Sequence, residues 1–288
     1  MKILITIPHF YKASNKGDHG SSRKDPQPRI RALTESILAL HQNFGISQRM
    51  IEHYSKLAVK ANGEENISID IVICTTQEQH ILKQLELHES LFSIRESDCE
   101  PLLLGYECHR VLKENLGKYD YYCFLEDDII IHDPLFFSKL NWFNSRVGHD
   151  RLLQPNRFEY STQQSALKCY IDGDLRPGAT GQFQNVNDEP TITGQALGKH
   201  IRFKRPLNPH SGCFFLNQEQ MKQWSQLPYF LDCDTSFIGP LESAASLGIM
   251  KTFKVYKPLP ECANFLEVQH YGTAFTQLIG REVSLAGS

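Results

Sequence analysis

Tyr119-Asp120-Tyr121-Tyr122-Cys123-Phe124-Leu125-Glu126-Asp127-Asp128-Ile129-Ile130-Ile131 sets three adjacent acids between two strongly apolar runs. Tyr121 to Leu125 reads as a buried strand, and the acids stand at its carboxyl end. Like charges placed where a strand leaves a core resist ionisation unless a cation or a network of donors offsets their repulsion. A divalent metal is the simplest offset. Hard oxygen ligands suit magnesium or manganese, which commonly keep positions open for phosphate oxygens. A solvated acidic turn is the competing account, and the place after a buried strand favours the metal.

Two strands upstream prepare the same arrangement. Lys2 to Ile7 is β-branched and closed by Pro8, and Ile67 to Cys74 is a second apolar run. Between them lies a basic loop from Phe10 to Pro28. Apolar residues at Ile30, Leu33, Ile37, Leu40 and Phe44 then mark a helix ended by Gly45. The spacing of Ile46, Met50, Tyr54 and Leu57 predicts a second helix, and Pro101 to Leu116 a third. Strand, helices, strand, helices, strand is the order of an α/β chain with a doubly wound, mostly parallel sheet, whose ligands lie beyond the strand carboxyl ends. Residues 155 to 210 lose clear periodicity and are expected to form loops or short strands inserted over that edge. A strand at Cys213 to Leu216, helices at Gln218 to Leu227 and Pro240 to Leu247, a strand at Met250 to Tyr256 and a polar tail complete the expectation.

Composition sets the bounds. The 288 residues suit one large α/β domain, and 41% hydrophobic with 22% charged residues is an ordinary globular balance. A net charge of −3 provides no general attraction for nucleic acid. The eight cysteines contain no C-x-x-C pair, and several lie in apolar runs, which favours free thiols in a reducing compartment. The apolar start is too short for a signal peptide, and no run reaches the roughly 18 residues of a membrane span. A cytoplasmic protein with a small-molecule partner is expected.

Glu126-Asp127-Asp128 resembles the variant D-x-D motif of A-type (GT-A fold) nucleotide-sugar-dependent glycosyltransferases, and further features follow in that family's order. Ser211-Gly212-Cys213-Phe214-Phe215 resembles the glycine loop under the donor sugar. Gly239-Pro240-Leu241-Glu242-Ser243 resembles the x-E-D helix start with its second acid replaced by Ser243, and Val268-Gln269-His270-Tyr271-Gly272 resembles the C-terminal histidine segment of the metal site. The resemblance implies a Rossmann-like single domain, with 1–132 as nucleotide-binding half and 133–288 as acceptor-binding half. It implies Asp128 and His270 as ligands of Mn2+ or Mg2+, Glu126 and Asp127 as helping to hold the metal shell or the nucleotide ribose, and Gly212 beneath the donor sugar. Glu242 is the first choice of catalytic base and Asp234, in Asp232-Cys233-Asp234, the second. Thr6, Pro8, His9, Arg29, Arg31, Thr75 and Thr76 stand at strand ends or the first helix start, within reach of a nucleobase or phosphate. The expected activity is hexosyl transfer from a nucleotide diphosphate-sugar, by family a UDP-sugar, to an acceptor hydroxyl on a glycan, lipid, protein or small molecule. A metal-dependent phosphohydrolase and a non-catalytic nucleotide-sugar-binding protein are the alternatives.

Overall fold

The computed structural model describes residues 1–14, 21–62, 66–162 and 166–285. In chain order the elements are β1 (Lys2–Pro8), α1 (Gln27–Phe44), a hairpin of β2 (Arg49–Glu52) and β3 (Leu57–Lys60), β4 (Ser68–Thr76), β5 (Ser93–Ser97), α2 (Leu104–Glu114) and β6 (Tyr121–Leu125). Then come β7 (Ile129–Ile130), α3 (Phe136–Val147), β8 (Arg151–Leu153), β9 (Asn156–Tyr160), β10 (Lys168–Tyr170), the short α4 (Pro177–Thr180), β11 (Thr191–Ala196) and β12 (Lys199–Lys204). The chain ends with β13 (Cys213–Asn217), α5 (Gln218–Ser225), α6 (Pro240–Thr252), β14 (Lys254–Pro258) and β15 (Glu267–His270).

Two compact units divide this chain: 1–127 with 215–233, and 128–214 with 234–288. The first is built on a five-stranded sheet of order β13-β6-β1-β4-β5, in which β1 runs parallel to both β4 and β6, and β4 parallel to β5. Ile3, Leu4, Ile5 and Ile7 of β1 are all buried, as expected of a central parallel strand covered on both faces, which needs a continuous apolar run rather than alternation. α1 packs against β4, and α2 against β1, β4 and β6. The face of α1 that packs carries Leu33, Ile37, Leu40 and Phe44, all buried; each such side chain contributes about 1.5–3 kcal/mol. Gly45 closes the helix because a Cβ there would stand 2.5 Å from the His41 carbonyl oxygen. α5 starts in a capping box in which Asn217 accepts from the Gln220 backbone N–H and Gln220 from that of Asn217.

The second unit holds two four-stranded sheets, β10-β9-β15-β7 and β11-β12-β14-β8, of mixed direction. Short strands therefore occupy much of 155–210, where loops or short strands were expected. Three expectations need correction. Residues 46–57 form no helix: Ile46, Met50, Tyr54 and Leu57 are exposed, and an apolar stripe with nothing to pack against does not sustain a helix. The turn passes instead through Lys56 at φ +57°, and the flanking residues pair as β2 and β3. The α3 helix was not foreseen, nor was β5. Met250 belongs to α6, and the following strand starts at Lys254. The polar tail contains β15, which ends on His270. Among the described residues no helix is long and apolar enough to cross a membrane.

Candidate active site

In the first unit the register of β1 on β6, Ile3 opposite Tyr121 through Thr6 opposite Phe124, sends both strands out of the sheet at the same edge. The chain leaves β1 for β4 on one side and returns in β6 on the other, so this edge is a topological switch point. His9 follows β1 and Asp127 follows β6. His9 is buried, with Nδ1 2.6 Å from Asp127 Oδ2, and its Nε2 accepts from the Ile81 backbone N–H at 3.3 Å. Since Nε2 is the acceptor, the ring proton sits on Nδ1 and is donated to the carboxylate. Arg29, in the first turn of α1, donates to the other oxygen of Asp127 and forms an ion pair with it. Burial opposes ionisation of Asp127, but the Arg29 charge and the His9 hydrogen bond hold its carboxyl below the ordinary aspartate value.

The neighbouring candidates are set into the same sheet end. Thr6 is buried and donates to the Cys123 carbonyl at 3.0 Å, so its hydroxyl serves strand pairing. Pro8 pairs with Cys74 in the sheet register. Thr75 is buried, and its hydroxyl has no hydrogen-bond partner among the described residues, whereas Thr76 donates to the Cys99 carbonyl. Glu126 is buried. Arg31 is exposed, and it is Arg29, two residues earlier, that reaches an acid of the triplet. Residues 15–20 of the basic loop lie outside the described residues.

In the second unit Asp128 and His270 are brought together by strand pairing. β7 and β15 run antiparallel with Ile129 opposite His270, and the Tyr271 N–H donates to the Asp128 carbonyl at 2.8 Å. His270 Nε2 then lies 3.8 Å from Asp128 Oδ2. The other ring nitrogen, Nδ1, is 2.9 Å from Glu159, a fully buried acid on β9, the parallel neighbour of β15. Glu159 also accepts from the backbone N–H of Phe275 at 3.0 Å and of Thr276 at 2.7 Å. Burial disfavours its charge, yet the His270 bond and these backbone donors keep its carboxyl below the ordinary glutamate value. Burial likewise works against the His270 cation, but Glu159 and Asp128 together raise its pKa above the ordinary histidine value.

Glu159 is a candidate site residue that the sequence alone does not reveal. It fixes the His270 proton on Nδ1, which leaves Nε2 aimed at the Asp128 carboxylate, the carboxylate–histidine arrangement that commonly backs a metal ligand. His270 Nε2 and Asp128 Oδ2, 3.8 Å apart, are placed to share a positive charge, either a proton on His270 or a metal cation. Among the described residues no three His, Cys, Asp or Glu side chains converge to hold a metal by themselves. A carboxylate and an imidazole nonetheless fit manganese or magnesium completed by substrate oxygens.

Gly212 is buried at φ +63°, a left-handed conformation that glycine adopts without strain, and it leads directly into β13. Glu242 lies in the first turn of α6, its Oε2 only 2.8 Å from where a Cβ on Gly239 would stand, so the glycine makes room for the carboxylate. Asp234 accepts from the Ser236 N–H and is joined to the last turn of α6 by Lys251 Nζ at 3.7 Å. The Ser236 bond and Lys251 depress its pKa. The two candidate bases are thus tied to different ends of α6. A separate buried cluster, also unforeseen, places Asp172 between Arg157 Nε at 2.8 Å and Lys257 Nζ at 2.9 Å.

No protein-family model and no curated protein matches the chain. Among solved structures, S. aureus TarS is similar over 89% of this chain at 10% identity and a TM-score of 0.45, and this chain spans only 35% of that one. A structure of S. aureus TarS 1-349 is similar over 94% of this chain at 9% identity and a TM-score of 0.43, with 58% of that chain spanned. Likeness at this level carries no functional argument, which rests on the residues.

Proposed function

We propose that this chain is a metal-dependent glycosyltransferase that moves a sugar, of the hexosyl class, from a UDP-sugar to an acceptor hydroxyl. One observation carries the reading: an acidic triplet leaves a central parallel strand, and its last member faces a histidine whose far nitrogen is held by a buried carboxylate. Asp128 and His270 would hold Mn2+ or Mg2+, and that ion would neutralise charge on the diphosphate leaving group. Glu159 keeps His270 in the tautomer that offers Nε2. Asp127 is a different kind of acid from Asp128. Both of its oxygens are engaged, by His9 and Arg29, which suits it to fixing the β1 and β6 ends rather than to ligating the ion.

In an inverting transfer the acceptor oxygen forms a bond to the anomeric carbon as the bond to the diphosphate breaks. The electron pair of that bond leaves with the diphosphate, and the hydroxyl proton goes to a carboxylate, assigned here to Glu242. Incubation with UDP-sugars and with phosphoesters, each with and without manganese, tests the class. Sugar transfer supports the proposal; phosphate release from phosphoesters would favour a hydrolase, and donor binding with neither reaction across a broad acceptor panel a binding protein.

A further inference from the structure

The β2–β3 hairpin does not rest on the transfer reading and has no role in it. Every residue of β2 is exposed, on both faces of the hairpin, and only Val59 of β3 is partly covered. Met50 is 63% exposed, Ile51 68%, Leu57 58%, and Tyr54 at the tip is fully exposed. So concentrated an exposed apolar set on one small element marks an interaction site. The charges beside it are mostly basic. Arg49 stands directly opposite Lys60 in the register, a like-charge cross-strand pair that is unfavourable unless an anion meets it, and Lys56 adds a third cation in the turn. Glu52 is the one acid of the hairpin, and it accepts from Ser55.

We propose that this hairpin is a docking finger for an anionic lipid bilayer. Four considerations select that occupant. A bilayer surrounds an inserted finger on all sides, matching apolar side chains on both faces, whereas a flat protein partner covers one face. The Arg49–Lys60 pair lies three residues behind Glu52–Leu57, roughly 10 Å along the strands, a depth that sets these two cations among the headgroups when Tyr54 and Leu57 enter the acyl boundary, while the long Lys56 side chain in the turn can reach back to the headgroups. A second copy of this chain would bring the same cations together, and lysine at an open strand edge discourages such pairing. A nucleic acid would meet the cations and Tyr54 but leave Met50, Ile51 and Leu57 unused.

Co-sedimentation of the full chain with vesicles of phosphatidylcholine plus phosphatidylglycerol, and of phosphatidylcholine alone, tests this. Binding is expected to the anionic vesicles, to fall about tenfold or more in the Ile51→Ser/Tyr54→Ser/Leu57→Ser variant, and to fall similarly in Arg49→Glu/Lys60→Glu or at high salt. Tyr54→Ser alone, at a position that contacts nothing, should weaken binding with thermal unfolding unchanged. No binding by the wild type, or equal binding by all these variants, would overturn the proposal. So would light scattering that shows a dimer dissolved by the triple variant, without vesicle binding, since the apolar set would then serve a second copy.

Discussion

At the residue scale the informative contrast is between two consecutive acids. Asp127 is saturated by His9 and Arg29, whereas Asp128 faces a histidine nitrogen oriented from behind. The position of both acids was legible in sequence because they abut an apolar run, which gives a strand end and therefore an edge, whereas His270 was legible only through the resemblance of its segment, since its strand lies in a stretch that reads as a polar tail. Glu159 was not legible. It sits in a stretch without periodicity, and its one local signal is an acid between the aromatics Phe158 and Tyr160. Arg29 was legible only as a member of a pair with Arg31, since the choice between them depends on the angle at which α1 begins. Replacing Glu159 by Gln removes one of two accepting oxygens and the charge that supports His270. Manganese affinity measured by titration calorimetry in the presence of UDP should fall about 10–100-fold, the usual cost of losing such a support. An unchanged affinity would reduce Glu159 to a structural acid. Glu242→Gln should lower transfer by roughly 10² to 10⁴ with donor affinity nearly constant, because a base acts in the transition state and not on the bound donor. If Asp234→Asn alone loses turnover, the base is Asp234.

At the element scale, β1, β6 and β13 were readable because buried strands need nearly uninterrupted apolar runs, β4 because its β-branched residues continue into a buried end, and α1 because its stripe is long and ends in glycine. The hairpin departs from the spacing of its sequence for a physical reason. Its spacing of four, four and three is helical on paper, but the stripe is never buried, so local pairing decides the structure. Helix α3 displays helical spacing openly, burying Phe136, Phe137, Leu140 and Phe143 on one side. The α5 cap offers a check on element energetics. Asn217→Ala removes the acceptor for the Gln220 N–H and should cost about 1 kcal/mol in urea unfolding, while Asn217→Ser restores most of it. A null result would show that the capping box contributes nothing beyond solvent.

At the scale of the whole molecule, the acid limit of stability is expected to reflect Asp172. Its carboxylate is buried between Lys257 and Arg157; burial alone would raise its pKa, and those two cations hold it below the ordinary value of 3.8. The burial of Lys257 works the other way, pulling its ammonium below the ordinary lysine value, but that group stays protonated through the acid range in both folded and unfolded chains. A carboxyl whose folded pKa is depressed contributes stability fully above its unfolded value and loses it as pH falls through the folded one. Asp172→Asn, which strands two buried cations, should cost about 3–5 kcal/mol near neutrality. The gap to wild type should close as pH falls below 3.8. Urea titrations across that range check the sign, and a gap that is constant with pH would refute it.

The central claim is that Asp128, with His270, holds the metal that secures a nucleotide-sugar. Its most direct test is the thermal shift produced by UDP-sugars with and without manganese, on wild type and on Asp128→Ala, since a ligand that binds only the folded chain raises its stability by mass action. The expected result is a manganese-dependent rise in the wild type, its loss in Asp128→Ala with the ligand-free unfolding temperature nearly unchanged, and a smaller loss in His270→Ala. Full manganese-dependent stabilisation of Asp128→Ala would contradict the assignment.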